Sequence, residues 1–183
     1  MDKIILRLKE GNERFKSGNP SSKDLAGARE STICGQKPFA TILTCSDSRV
    51  VPEYIFDANI GELFVIRNAG NVIDEIVLGS MEYGVAHLKT PLLIVLGHEK
   101  CGAVTAACQG GECSPNIRAV MKKIESSVAK CNCDIEKTVD ENMRCMIEGI
   151  RSQSQVIKEL EEKGDIRIIP MKYHLTDGHV EEL

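Results

Sequence analysis

Three short apolar runs, each leading into a polar turn and then a helix-like segment, constrain the fold of this chain more than any other feature. The runs cover residues 39–44, 62–67 and 92–96. Helix-like patterns follow them over residues 51–56, 74–88 and from residue 102 onward. This alternation predicts an α/β fold with a mainly parallel β-sheet flanked by helices and right-handed crossovers between its strands.

The segments on either side of this alternating core have their own patterns. Apolar residues at helical spacing predict a helix over residues 2–17 and a long helix over 142–160, which Gly164 terminates. A strand is expected over residues 165–171. A hairpin that turns at Asp177-Gly178 is expected to follow it.

The length of the chain favours a single domain over residues 1–183. With 183 residues and 42% hydrophobic content, it can bury one well-packed hydrophobic core but is too short for two. We divide it into an N-terminal helical arm (1–34), an α/β core that carries the metal site proposed below (35–108), and C-terminal helices, strand and hairpin (109–183).

Composition excludes several classes of function. The formal net charge is −4, no basic run is present and Trp is absent, which argues against nucleic acid as a partner. No run of about 18 apolar residues suggests a membrane span. The first ten residues lack the apolar core of a secretory signal, and eight cysteines then indicate free thiols in the cytoplasm.

Potential metal ligands follow the first and third apolar runs. Cys45 comes directly after the first run, and His98 and Cys101 follow the third. If the two strands are neighbours in a parallel sheet, their carboxyl ends bring two thiolates and one imidazole together. Two Cys and one His form a tetrahedral zinc set with one vacant position, as a catalytic zinc requires. The sequence therefore predicts one zinc per chain and an enzyme that activates water on it.

Asp47 and Arg49 lie beside the first cysteine and can be interpreted in three ways. They can form an exposed ion pair of little consequence. They can form a dyad in which Arg49 keeps Asp47 ionised and Asp47 accepts a hydrogen bond from zinc-bound water or hydroxide. Alternatively, Asp47 can occupy the vacant zinc position itself, until Arg49 captures its carboxylate.

Six further cysteines have no assigned role. We expect them to be free thiols, while a second metal site around Cys131 and Cys133 stays an alternative, although a one-residue spacing is unusual for zinc. The six are Cys34, Cys108, Cys113, Cys131, Cys133 and Cys145.

The motifs around these residues resemble those of the β-class carbonic anhydrases over nearly the whole chain. The matching segments are residues 45–50, 61–71, 97–103 and 173–183. The resemblance implies zinc-dependent reversible hydration of CO2 to bicarbonate and a proton by zinc-bound hydroxide. It also assigns the zinc ligands to Cys45, His98 and Cys101 and the family's Asp–Arg dyad to Asp47 and Arg49. It further implies a homodimer or a higher homo-oligomer.

The resemblance also implies a substrate pocket of the plant-like branch of the family. Gln36 matches a glutamine that hydrogen-bonds the substrate, and Gly102 matches a glycine whose backbone lies close to it. Phe64, Ala69 and Tyr83 match the apolar pocket, to which the partner subunit contributes some residues. Ordinary core packing of Phe64 and Tyr83, and a plain loop position for Gln36, are the alternatives.

One departure from the family pattern concerns regulation. Another branch holds a regulatory bicarbonate with a Trp three residues before the first zinc cysteine, where this chain has Ile42. Arg67 and Tyr173 match the other residues of that site, which is therefore incomplete. We expect no bicarbonate switch of that type and an open zinc site that carries water.

Two other functions fit the same residues. The zinc set can serve the hydrolysis of CO2 analogues such as carbonyl sulfide or carbon disulfide. A non-enzymatic zinc- or thiol-binding protein is the second alternative, and a zinc content of three or more per chain would favour it over the enzyme.

Overall fold

The computed structural model describes residues 1–183 and is built on one five-stranded sheet of order β2-β1-β3-β4-β5. Neighbouring strands are parallel throughout β2, β1, β3 and β4, and only β5 runs antiparallel, to β4. The strands are β1 (Ala40–Cys45), β2 (Leu63–Asn68), β3 (Leu92–His98), β4 (Arg167–Tyr173) and β5 (Val180–Glu182). This confirms the predicted α/β class.

Eight α-helices flank the sheet. They are α1 (Asp2–Lys16), α2 (Leu25–Ser31), α3 (Pro52–Ile55), α4 (Glu75–Glu82), α5 (Gly102–Gln109), α6 (Pro115–Lys130), α7 (Ile135–Gln153) and α8 (Gln155–Glu162). A 3₁₀ turn at Ala69–Asn71 follows β2, and a π-helical turn at Tyr83–His87 extends α4. No helix combines the length and the apolar character that crossing a membrane requires.

The two central strands are buried along their whole length. Every residue of β1 and of β3 is buried, which explains why both strands appear as unbroken apolar runs in the sequence. One face of the sheet packs under α4 to α8, in a cluster that includes Leu43, Val95 and Met143. The other face packs under α1, α3 and the terminal hairpin, in a cluster that includes Ile42 and Ile94. The carboxyl ends of β1 and β3 are thereby held side by side.

The long C-terminal helix was predicted wrongly. It begins at Ile135 rather than residue 142, and an extended residue, Ser154 (φ −115°, ψ 103°), divides it into α7 and α8. The Ser154 hydroxyl accepts a hydrogen bond from the Ile157 N–H and donates one to Glu82 on α4 at 2.6 Å. Serine is a favoured helix N-cap, and this capping explains why a new helix starts here.

Two other elements differ in detail from the expectation. The helix expected over 74–88 changes to π-helical geometry at Tyr83, where a Cβ on Gly84 would come within 2.3 Å of the Thr41 hydroxyl oxygen. The chain reversal between β4 and β5 spans residues 174–179, with Gly178 in the left-handed region at φ +77°, rather than a two-residue Asp-Gly turn.

The N-terminal helix α1 packs onto its own chain. Ile5 and Leu8 are buried among residues of β1, β3 and β4. Asn12, which is 2% exposed, donates to the carbonyl oxygens of Ile55 (3.2 Å) and Gly178 (2.8 Å) and accepts the Val180 N–H (2.9 Å). One amide side chain therefore ties α1 to α3 and to the terminal hairpin.

We predict that Asn12→Ala lowers the free energy of unfolding by about 3 kcal/mol, because it leaves two buried backbone groups and one partly buried one without partners. Urea unfolding of the metal-free protein measures this loss. Asn19→Ala is the matched control, since Asn19 is exposed in the same arm, and should change stability by less than about 0.5 kcal/mol. Equal stabilities for the two variants would show that Asn12 does not fasten the arm.

Candidate metal centre

Two neighbouring strands and one helix start deliver the three predicted ligands to one point. Cys45 is the last residue of β1, His98 is the last residue of β3, and Cys101 is the N-cap of α5. All three are buried, at 6%, 0% and 1% exposure. Their ligand atoms lie within 4.8 Å of one another, and they form the one such group of His, Cys, Asp or Glu side chains in residues 1–183.

The imidazole of His98 is oriented for metal binding. Its Nδ1 lies 2.8 Å from the Glu99 carbonyl oxygen, and because a carbonyl can only accept, Nδ1 carries the proton. The lone pair is then on Nε2, which is buried and has no hydrogen-bond partner. A buried polar atom without a partner is costly unless something else binds it. A metal ion between His98 and the two cysteines would satisfy it.

The two thiols are polarised by their neighbours. A hydrogen bond from the Cys101 thiol to the Cys45 sulfur lowers the pKa of Cys45. The Gly70 N–H, whose nitrogen lies 3.4 Å from the same sulfur, lowers it further. The same contact with Cys45, together with burial, raises the pKa of Cys101. Without a cation, the pair therefore holds one negative charge more readily than two. A divalent cation would stabilise both thiolates, and its binding would release a proton.

This donor set fits zinc. Zinc bonds thiolate sulfur at about 2.3 Å and imidazole nitrogen at about 2.0 Å in a tetrahedral arrangement, which sets the ligand atoms roughly 3.5 to 4 Å apart. The three ligand atoms already lie within 4.8 Å of one another, so a contraction of at most about 1 Å would bring them to this spacing. Because three protein ligands leave the fourth position to water or substrate, the set has the composition of a catalytic zinc site.

Asp47 and Arg49 form a pair beside the ligands rather than an isolated surface pair. Arg49 donates to the Asp47 carboxylate from Nε (3.0 Å), from a terminal guanidinium nitrogen (2.7 Å) and from its backbone N–H (2.9 Å). These hydrogen bonds lower the pKa of Asp47 to about 2. An Asp47 carboxylate oxygen lies 4.0 Å from His98 Nε2. The carboxylate is therefore ionised, captured by Arg49 and adjacent to the predicted zinc position.

Two residues that support the site were not assigned this role from the sequence. Arg67 donates to the carbonyl oxygens of Cys45 (3.2 Å) and Asp47 (2.8 Å), which fixes the turn after β1. Gly70 directs its N–H at the Cys45 sulfur from a left-handed conformation (φ +74°). The Gly-Asn pair at positions 70 and 71 was a signal of a tight turn, but the sequence did not show which group this turn faces.

Two of the five predicted pocket residues lie in segments next to the ligands. Gly102 follows Cys101 directly, and Ala69 precedes Gly70. Gln36 lies on the exposed segment before β1, at the opposite end of that strand from Cys45, and the structure shows no hydrogen bond from its side chain.

Phe64 and Tyr83 pack against each other, with their ring centroids 5.9 Å apart. In the sheet register, Phe64 pairs with Thr41, whereas Cys45 pairs with Asn68. Four residues of strand separate these positions, or about 13 Å. Within one chain, Phe64 is therefore too far away to line the metal site of that chain.

The other six cysteines do not form a second metal group. All eight cysteines are free thiols, and neither Cys131 nor Cys133 belongs to a cluster of three ligand atoms. Cys108 contacts the Thr138 hydroxyl, and Cys145 lies 3.4 Å from the Lys130 ammonium. The alternative of a metal site at Cys131 and Cys133 therefore has no support in the structure.

Comparisons with known proteins agree with this geometry. The family model described as carbonic anhydrase matches residues 40–180. Carbonic anhydrase 2 of Mycobacterium tuberculosis is 41% identical over 180 residues, covering 93% of this chain and 87% of that protein. The carbonic anhydrase of Mycolicibacterium smegmatis is 38% identical over 183 residues, covering 95% and 89% of the two chains. The solved structure of the β-carbonic anhydrase CcaA superimposes with a TM-score of 0.78 at 29% identity, over 98% of this chain and 94% of that one.

We predict that the purified protein holds about one zinc per chain and that Cys101→Ala holds almost none, because a site with one thiolate and one imidazole binds zinc much more weakly. Metal content after dialysis, determined by atomic emission, measures this. Cys133→Ala is the matched control because Cys133 is an exposed thiol outside the cluster, and it should keep its zinc. Three or more zinc ions per chain would favour a zinc-storage protein instead.

Proposed function

The chain belongs to the β-carbonic anhydrase family, and on that premise we propose that it catalyses the zinc-dependent, reversible hydration of CO2 to bicarbonate and a proton. One observation carries this proposal most directly. The buried Cys45–His98–Cys101 set supplies three of the four ligands of a tetrahedral zinc, and its His98 Nε2 lies 4.0 Å from a carboxylate that an arginine keeps ionised. An open metal position next to a fixed hydrogen-bond acceptor suits the activation of water.

Each residue then has a defined task. Zinc, when bound by the three ligands, would supply the Lewis-acid chemistry that makes water a nucleophile near neutral pH. Asp47 accepts a hydrogen bond from that nucleophile and so directs its remaining lone pairs toward CO2. Arg49 holds Asp47 in place and keeps it ionised. The backbone of Gly102 is proposed to bind the oxygens of the substrate. The side chain of Gln36, which precedes β1 and lies at the far end of that strand from Cys45, is proposed to bind them in the site of a second copy.

We infer that the fourth metal position is open. Both carboxylate oxygens of Asp47 accept hydrogen bonds from Arg49, so Asp47 would have to give up this bidentate pair before it could bind a metal. The pKa of Asp47 is held at about 2, below its ordinary value, so the pair is present above pH 4 and is lost only as the pH falls toward 2. Neutral pH therefore favours the captured carboxylate.

We also propose that the active unit is a homodimer in which each copy completes the site of the other. Phe64 lies too near the start of β2 to reach its own metal site, and Tyr83, which packs against it, is 47% exposed. Because β2 is an edge strand, this aromatic pair is available to a second copy.

We propose a cytoplasmic location, since all eight cysteines are free thiols, which a reducing compartment preserves.

The first test is stopped-flow CO2 hydration by the zinc-loaded protein between roughly pH 6.5 and 9, the range in which zinc-activated water titrates. We predict a rate that rises with pH through one ionisation, because Asp47 stays charged throughout. Asp47→Asn should keep its zinc and lose about 100-fold in kcat, the upper end of what outer partners of a metal site usually contribute.

Asp74→Asn is the control for this substitution. Asp74 caps α4 on the exposed surface, and asparagine preserves the cap, so its rate should equal that of the unmodified protein. A steep onset of activity only at alkaline pH would show that Asp47 occupies the fourth position below it. Hydrolysis of carbonyl sulfide or carbon disulfide without CO2 hydration would contradict the proposed substrate.

We predict that two inactive variants restore activity when their chains are mixed, if the partner supplies Phe64. Cys101→Ala lacks zinc, and Phe64→Ala lacks the pocket wall. In a mixed dimer, one of the two sites combines an intact zinc set with an intact Phe64. Activity should therefore return after unfolding and refolding the two variants together. A mixture of Cys45→Ala and Cys101→Ala chains is the control and should stay inactive. If the first mixture also stays inactive, Phe64 acts only within its own chain.

A further inference from the structure

The turn between His98 and Cys101 carries two of the three proposed ligands in an unfavourable backbone conformation. Lys100 lies in the left-handed region at φ +52°, which residues other than glycine, asparagine and aspartate seldom adopt. This conformation turns the chain sharply enough for both His98 and Cys101 to reach the same point. Such a turn keeps its shape only when the surrounding structure holds it.

A glutamate on another helix holds this turn from outside the site. Glu136, in the first turn of α7, accepts the Lys100 backbone N–H at Oε1 over 3.0 Å. Its other carboxylate oxygen lies 3.2 Å from the Nζ of Lys172. One carboxylate therefore connects the strained peptide to a charged side chain on β4, and the proposed reaction assigns it no task.

Lys172 is placed to fix the direction of that glutamate. It pairs with Gly97 across the β3–β4 ladder, next to the His98 position, and its side chain is only 7% exposed. A buried ammonium is costly unless it is paired, and Asp140 at 2.8 Å is its second partner. Burial lowers the pKa of Lys172, but the two carboxylates outweigh this and raise it, so the side chain remains charged.

We propose that Glu136 is a positioning residue for the metal centre: oriented by Lys172, it holds the left-handed Lys100 peptide and thereby keeps Cys101 in ligating position. This inference rests on the proposed zinc site. If Glu136 is truncated, the Lys100 N–H loses its partner and the peptide can relax toward a more common conformation. Cys101 would then leave the metal more often, and zinc would dissociate faster.

The fold should survive the loss of Glu136. The opposite side of the turn is anchored separately, because the Glu99 carboxylate accepts hydrogen bonds from the Thr176 N–H (3.2 Å) and hydroxyl (2.9 Å) in the terminal hairpin. The Glu136 side chain is also half exposed, so its truncation leaves no cavity in the core. The effect of Glu136→Ala is therefore expected at the metal rather than in global stability.

The decisive measurement is the rate at which zinc passes from the loaded protein to an excess of a chromophoric chelator. We predict about tenfold faster release from Glu136→Ala, the lower end of what outer partners of metal ligands usually contribute. Glu136→Gln should release zinc at a rate between those of the unmodified protein and Glu136→Ala, because its amide oxygen still accepts the Lys100 N–H but its NH2 group cannot accept from Lys172.

Glu141→Ala is the matched control. Glu141 lies on the same helix and also pairs with a lysine, Lys130 at 2.7 Å, but it does not contact the turn. Its zinc release should be unchanged. Equal release rates for Glu136→Ala and Glu141→Ala, in a protein that binds zinc, would overturn this inference and leave the proposed function intact. A protein that binds no zinc would overturn both.

A double-mutant cycle tests the part assigned to Lys172. Lys172→Met keeps an apolar stem of similar length and frees Glu136, so it should also accelerate zinc release. If the lysine acts through the glutamate, Glu136→Ala combined with Lys172→Met should release zinc no faster than Glu136→Ala alone. Additive effects of the two substitutions would show that Lys172 does not act through Glu136.

Discussion

The structure depends on one constraint above all: β1 and β3 are adjacent, parallel and buried on both faces. Their register pairs Thr44 with Leu96, so Cys45 and His98 emerge at the same edge of the sheet although 53 positions separate them in the chain. A shift by one residue would move every side chain of the strand to the opposite face of the sheet. It would therefore disrupt the packing of both hydrophobic clusters. The apolar core thus sets the position of the metal ligands.

Pairing of charges gives the second level of organisation. Around the ligands, each carboxylate that touches a turn is held by its own cation or donor: Asp47 by Arg49, Glu136 by Lys172, and Glu99 by His174. None of these three carboxylates forms a hydrogen bond with the side chain of a proposed zinc ligand. Two thiolates already neutralise a divalent cation, so a further acidic ligand would weaken its action on water. In the proposed site, these pairs would keep the acidic groups close enough to orient polar atoms while their oxygens are already engaged by the paired cations.

The sequence was informative where a local pattern fixes the chemistry. Cys45, His98 and Cys101 could be predicted because each stands next to an apolar run or a helix start, and the mainly parallel sheet followed from the strand–helix alternation. Glu136 could not, because its contact with Lys100 joins residues 36 positions apart on an exposed helix face. The break at Ser154 was missed for a similar reason, since a serine in a helical pattern becomes a cap only when a neighbour such as Glu82 holds it. Tertiary contacts of this kind produce no periodic pattern in the amino-acid sequence.

The same geometry supports the proposal that two chains share the pocket that the family resemblance implies. Ala69 and Gly102 lie next to the metal ligands, but the aromatic pair of Phe64 and Tyr83 lies at the other end of β2, on the edge of the sheet. A two-fold axis perpendicular to an edge strand makes the strands of the two copies run in opposite directions, so it brings the start of one strand toward the end of the other. Such an arrangement would carry Phe64 of each copy along the strand toward the metal of its partner. It would also cover the exposed face of Tyr83, which no residue of its own chain shields fully. The location of the aromatic pair is therefore better explained by a shared site than by core packing alone.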